Sequence, residues 1–520
     1  MKLRFGIICA IVSVLGAALD AADIPLLPGE HWWGGKAADG VEMPFSEKSA
    51  YDADFSVHHG YNHAAPFLVS DMGRYIWRED AFALSITSGV MRTSRPVVVV
   101  DAGRNLREAF LAASKRHFPP SGKMPPVEFI AAPQYNTWIE LQYNQNQDDI
   151  LKYARDILAN GLPPGVLMID DTWQAGYGDW RFEVSRFHDP AAMCRELHGM
   201  GFKVMLWIVP FVSMDSPAYR RLRDEGGLVE RTKGDPAVVG WWNGKSALLD
   251  FSHPNGVKWF RNVLARLQLD YGVDGFKFDG GDIAIYRGER HIHTPMPPEE
   301  QMRLYSAFGL EFPYNEYRAS WKTGGQPLVQ RLCDKFHAWS EVARCIADMT
   351  AAGLIGHPFV CPDMIGGGDY VASLPDSPFD QELFIRSAQV HALAPMMQFS
   401  ASPWRVLDEA GRRIIRETVA LRQKFAPWFV ELAETCAKTG EPMLRAMEYN
   451  WPHLGLAKVK DQFAMGDSLI VAPQIAKGAK TRTVALPSGK WRGDDGAVIV
   501  GPATITVNTP LDRLPHFVKE

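Results

Sequence analysis

The spacing of apolar and polar positions changes twice along the chain. Residues from about 23 to 125 carry short apolar runs between turn formers, such as Ala65-Pro66-Phe67-Leu68-Val69 and Pro96-Val97-Val98-Val99-Val100, a pattern of all-β structure. From near Val127 strands alternate with helices. The apolar stretch 165–169 runs into Asp170-Asp171-Thr172-Trp173, residues 190–200 have a helical period, and 202–208 form a strand ending at Trp207-Ile208-Val209-Pro210. Helices are predicted over 217–225, 257–270, 338–352 and 382–393, with a strand at 358–361 that ends on Pro362-Asp363. After about Ala426 short strands return at 468–472, 481–486, 498–500 and 504–507, parted by turns such as Pro487-Ser488-Gly489-Lys490.

This rhythm predicts an α/β fold. A (β/α)8 TIM barrel occupies residues 126–425, flanked by an N-terminal β-sandwich at 22–125 and a small C-terminal β domain at 426–520. A doubly wound sheet would alternate in the same way, but no G-x-G-x-x-G fingerprint opens it. Asp170, Trp207, Asp279 and Asp363 each stand where a predicted strand stops, and a barrel gathers such positions at one face. The most pointed stretch is 271–282. Asp274-Gly275 marks a turn, Phe276-Lys277-Phe278 is short enough to be a buried strand, and Asp279 follows, next to Gly280 and Gly281. Glycines there would leave the carboxylate open to a ligand. Taken alone, Asp279 fits a cap of the next segment equally well.

Composition narrows the classes. With 46% hydrophobic and 22% charged positions in 520 residues the chain is globular, and a net charge of −5 without a basic stripe excludes nucleic acid as an expected partner. Met1-Lys2-Leu3-Arg4, the apolar run 5–15 and the small residues Ala17-Ala18 and Ala21-Ala22 have the layout of a secretory signal over residues 1–21. A secreted or periplasmic protein with no stable membrane span after cleavage is expected. Cys194, Cys333, Cys345, Cys361 and Cys436 would remain, without C-x-x-C or zinc spacing, so no metal site is expected. The 16 tryptophans suit sugars, whose C–H faces pack on rings while carboxylates hold the hydroxyls. Two carboxylates facing each other across a pocket suit glycosidic-bond cleavage. Trp32-Trp33-Gly34-Gly35 fits either of two placements, an exposed sugar platform at Trp33 or a buried sandwich aromatic.

Three stretches resemble glycoside hydrolase family 31, the retaining α-glycosidases. Phe276-Lys277-Phe278-Asp279-Gly280-Gly281-Asp282 is similar to the family's nucleophile motif. Gly356-His357-Pro358, continuing to Asp363-Met364-Ile365-Gly366-Gly367, is similar to its G-x-P…D-I-G-G segment. Asp467-Ser468-Leu469-Ile470-Val471-Ala472-Pro473, Leu486-Pro487-Ser488-Gly489-Lys490-Trp491 and Pro510-Leu511-Asp512-Arg513-Leu514-Pro515 follow the family's C-terminal order. The resemblance implies a TIM barrel, an oligosaccharide or glycoside partner and no cofactor. It implies Asp279 as nucleophile, and Asp334, 22 residues before Gly356, as acid/base. The sugar-binding arginine 16 residues before that acid is then Arg318. Asp170, with Trp173 three residues on, resembles the aspartate that grips sugar hydroxyls. Trp33, Asp171, Trp207, Trp242, Lys277, Trp321 and Asp363 complete the candidate binding set. Lys277 fits charge balance as well as sugar binding, and Asp282 and Asp363 also fit loop-fixing acids.

Departures from the family pattern shape the expected specificity. The usual W-x-G-D is replaced by Arg331-Leu332-Cys333-Asp334, and a histidine that holds glucose is missing from Pro395-Met396-Met397-Gln398-Phe399-Ser400. Together with Trp242, 37 residues before Asp279, this resembles the family's α-galactosidase subgroup. The expected function is a secreted retaining exo-α-glycosidase acting on terminal α-galactosides. An α-glucosidase, a sulfoquinovosidase reading a sulfonate through an Arg/Trp pair such as Arg318 and Trp321, an α-xylosidase, and a non-catalytic carbohydrate-binding protein are the alternatives. Asp334 would have to begin protonated, with the charge of Asp279 raising its pKa. A Cys333–Cys361 disulfide is open, since sequence does not set the Cα separation.

Overall fold

The computed structural model describes residues 23–288, 290–374 and 379–520, so the secretory-signal segment lies outside the described residues. The centre is a parallel barrel of β1 (Gln134–Asn136), β2 (Val166–Ile169), β3 (Lys203–Ile208), β4 (Gly275–Phe278), β5 (Tyr314–Tyr317), β6 (Val329–Arg331), β7 (Val360–Cys361) and β8 (Gln398–Phe399). Neighbours pair in the order β7-β6-β5-β4-β3-β2-β1-β8. A bridge between Met364 and Gln398 nearly closes the ring. Strand alternation decides what faces inward. On β4, Phe278 stacks on Tyr317 at 4.7 Å and meets the Phe308 and Phe312 rings, while Lys277 points into the barrel toward Asp170.

Helices Gln147–Ala159, Pro190–Gly199, Pro254–Tyr271, Pro298–Gly309, Trp339–Leu354, Gln381–Ala392 and Glu409–Thr439 surround the strands. Several open on proline, whose fixed φ and missing N–H suit a first turn. Between β5 and β6, residues 318–328 hold no helix among the described residues. The N-terminal domain packs there instead. Ala64 N–H donates to Ser320 O at 3.0 Å, and Lys322 N–H donates to Ala64 O at 3.1 Å. No helix among the described residues is long and apolar enough to cross a membrane.

The N-terminal region forms two four-stranded antiparallel sheets. In one of them Trp32–Lys36 pairs with Ala64–Ser70. The platform at Trp33 is not formed: Trp32 and Trp33 are both buried. Gly34 is there for close approach, since a Cβ on it would lie 2.3 Å from Phe67 O.

The C-terminal sheet has six strands. The predicted turn at 487–490 lies inside one strand, Thr481–Gly493, where Pro487 and Gly489 sit at a register shift. Its partner Val498–Asn508 is likewise continuous where two strands were expected. The boundary at 425/426 falls within helix Glu409–Thr439, which runs on through Pro427.

Candidate active site

The C-terminal ends of β2 to β6 surround a pocket of about 580 Å³. Asp170 and Asp171 follow β2, Trp207 lies on β3, Asp279 follows β4, Arg318 follows β5, and Arg331 and Asp334 stand at the end of β6. Two elements from outside the barrel close the sides. Tyr61 comes from the N-terminal domain, and Trp242 from the tip of the hairpin Val238–Trp241 and Gly244–Leu248. Both rings are exposed and both lie against the Arg318 guanidinium, at 5.7 and 5.9 Å.

Asp279 is held from every side. Oδ2 accepts from Trp207 Nε1 at 3.0 Å, and Oδ1 accepts from Arg318 Nε at 2.9 Å and Gly280 N–H at 2.8 Å. Its backbone is tied to Ile208 O and to the Tyr305 hydroxyl. Burial works to raise its pKa, but the charges of Arg318, Lys277 and Arg331 prevail and hold it well below the usual carboxylate range. Arg318 in turn forks onto Asp282, with contacts of 3.1 and 2.7 Å. Gly281 does not serve openness. At φ +73, its Cβ would lie 2.4 Å from the Tyr305 ring. Gly281→Ala is expected to cost about 1–3 kcal/mol, read as a lower denaturant midpoint with an unchanged m-value; an unchanged midpoint would mean that Tyr305 gives way.

Asp334 lies on the wall of the same pocket, its side chain 60% exposed. Arg331 Nη1 donates to Asp334 Oδ1 at 2.6 Å and to Asp363 Oδ1 at 2.7 Å. Desolvation by the pocket walls and the Asp279 charge work to raise the Asp334 pKa, but Arg331 reverses the sign and the net shift is downward, against the raised pKa expected from the sequence. Asp363 is fully buried, with Oδ2 accepting from Lys335 N–H at 2.8 Å. Burial and the neighbouring Asp334 push it up to about 7 in spite of Arg331.

Lys277 Nζ donates to Asp170 Oδ2 at 2.7 Å, and both groups are buried. Asp171 accepts from Gln174, Tyr177 and Asn243, yet burial and Asp170 push its pKa up to about 6.

Residues 124–432 match the family description "Glycosyl hydrolases family 31 TIM-barrel domain", and residues 440–520 match the "Glycosyl hydrolase family 31 C-terminal domain". The chain belongs to glycosyl hydrolase family 31. It is 32% identical over 417 residues to the myogenesis-regulating glycosidase of Mus musculus, covering 78% of this chain and 58% of that protein. It is 25% identical to the alpha-xylosidase XylQ of Lactiplantibacillus pentosus, covering 76% of this chain and 54% of that protein. The chain therefore spans little more than half the length of these relatives. In fold it resembles a family 31 alpha-xylosidase from a soil metagenome complexed with xylose, with TM-score 0.83 at 21% identity, over 96% of this chain and 79% of that one.

Within this family 31 chain, the pocket brings together Asp170, Asp171, Trp207, Trp242, Lys277, Asp279, Arg318 and Asp334. Four candidates fall outside its lining. Trp33 is in the sandwich core. Trp173 is fully buried and donates its Nε1–H to Trp207 O at 2.7 Å, so it supports the wall from behind. Trp321 is also buried, stacked on His59 at 4.9 Å. Asp363 fixes the loop beneath Asp334. The disulfide is not formed: all five described cysteines are free. Cys361 Sγ faces Asp363 O at 4.0 Å, while Cys333 lies beside Lys335 Nζ at 3.7 Å. Sequence reasoning missed Tyr61, Trp138, Tyr143, Phe336 and Met364 as lining residues, and it noted Arg331 only as a departure from W-x-G-D.

Proposed function

We propose that the protein is a retaining exo-α-glycosidase in which Asp279 attacks the anomeric carbon and Asp334 first protonates the leaving oxygen and then deprotonates water. The observation that carries this is the contrast between two carboxylates on one pocket. Asp279 is enclosed and held anionic by Trp207 and Arg318, whereas Asp334 is exposed toward the space a leaving group would fill. One group is suited to form a glycosyl ester and the other to exchange protons. Lys277, Asp170 and Arg318 hold the surrounding charges, and the two rings at the sides suit sugar faces.

The sugar we propose is a terminal α-galactoside. At the position where a glucose-holding histidine is missing, the Ser400 hydroxyl is spent accepting Ile139 N–H at 2.8 Å. Gln398 donates to Glu316 inside the barrel, 2.9 Å away. Neither residue lines the pocket. A sulfonate-reading pair at Arg318 and Trp321 is disfavoured, because Arg318 is committed to Asp279 and Asp282 and Trp321 is buried elsewhere. A site built for one hydroxyl rejects its epimer by leaving buried polar groups unpaired. The kcat/KM on p-nitrophenyl α-galactoside should exceed that on the α-glucoside at least ~100-fold. A preference for the glucoside or the α-xyloside would assign the pocket to that sugar and leave the catalytic pair in place. Action outside the cytoplasm is proposed from residues 1–21 alone, and cell fractionation tests it.

A further inference from the structure

Arg331 stands where the family pattern has tryptophan, three residues before the proposed acid. It is 1% exposed, yet its guanidinium reaches the pocket. Its Nη1 faces three acceptors, Asp334 Oδ1 at 2.6 Å, Asp363 Oδ1 at 2.7 Å and Leu332 O at 3.2 Å, while Nε lies 3.2 Å from Glu316 Oε1. A guanidinium does not give up its proton in a protein, so this charge is permanent. We propose that Arg331 is a positioning residue for the acid: it clamps Asp334 to the buried Asp363 and thereby sets the pH range in which Asp334 serves as a proton donor. The inference rests on the acid role proposed for Asp334.

The loop geometry supports the clamp. Asp363 follows β7 at φ +95 and accepts the backbone N–H of Lys335, the residue next to Asp334. Arg331 and Asp363 thus fix the start and end of one short turn, and Asp334 is the exposed residue between them. The charges facing Asp334 are Arg331, Asp279, Arg318 and Lys277 from β6, β4 and β5, with Asp363 and Glu316 acting through Arg331. Arg331 is the strongest of the charges and holds Asp334 toward its ionised form. That form accepts a proton from water but has none to give a leaving group. The clamp therefore confines the first step to acidic pH.

The basic limb of kcat/KM reports the acid in the free enzyme. In Arg331→Gln that limb should move to higher pH by about one unit, the scale on which an adjacent opposite charge acts. Arg331→Lys keeps the charge, so its limb should stay nearer to that of wild type. If Arg331→Gln fails to fold because Asp363 is stranded, the double variant Arg331→Gln/Asp363→Asn removes the stranded anion and is compared with Asp363→Asn alone, against which its limb should again lie at higher pH. Folded variants with lower kcat/KM but an unmoved limb would overturn the clamp. Asp334→Ala, assayed beside wild type on a glycoside whose poor leaving group needs the proton, separates the two ideas. Loss of the basic limb there with no movement in the Arg331 variants refutes the clamp alone, whereas a persisting limb refutes the acid role on which it rests.

Discussion

Asp279→Asn is expected to lower kcat/KM by about 10⁴-fold or more, the scale on which loss of a nucleophile acts. The amide has nearly the same shape, so β4 and its neighbours should keep their packing. What is lost is the negative charge that Trp207 and Arg318 are arranged around, and with it the oxygen that would bond to the anomeric carbon. An amide also presents N–H to one of those donors, which weakens the arrangement further. Circular dichroism and the thermal midpoint should report a folded protein. A folded variant that retains a tenth of wild-type activity would remove Asp279 from the chemistry. In Asp279→Gly the vacated space should admit azide, which attacks from the face the carboxylate occupied and yields a β-glycosyl azide.

Asp334→Ala has the complementary expectation. With a poor leaving group, turnover should fall by about 10²–10⁴-fold, the usual contribution of general acid catalysis. With an activated aryl leaving group, bond cleavage needs no proton, so the glycosyl ester forms and its hydrolysis becomes slow. Azide then intercepts the ester and gives an α product at a raised rate. Equal losses on both substrates, or a β-glycosyl azide from this variant, would reverse or remove the assigned roles. The exposure of Asp334 favours such rescue, since a small anion reaches its position from the pocket.

The central strand was legible because its signal is local. Two phenylalanines around Lys277 face outward, and Asp279 follows directly at the strand end. The spacing from Gly356 to Asp334 also led to a residue on the same pocket. Strands β5 and β6 left no apolar run to find. Their inward positions carry Glu316 and Arg331, which form an ion pair at 3.2 Å, with Glu316 also accepting from Gln398 inside the barrel. Such a polar interior erases the pattern that normally marks a buried strand. The tryptophans failed for a different reason. Residue type tells that Trp33, Trp173 and Trp321 are large and apolar, but only tertiary packing tells that they point into cores and not into the pocket. Arg331 was visible as an anomaly, but its meaning depends on Asp363, 32 residues further on and brought to it by β7.

Covalent attachment of the sugar to Asp279 is the step on which the proposed mechanism turns. Incubation with a 5-fluoro α-glycosyl fluoride of the preferred sugar, whose ring fluorine slows both steps while the fluoride leaving group keeps formation of the ester fast, followed by proteolysis and mass spectrometry, tests this. Inactivation is expected with one glycosyl group per chain, carried by the peptide spanning residues 271–282 and located on Asp279. Attachment to Asp334 or to any other side chain would contradict that mechanism.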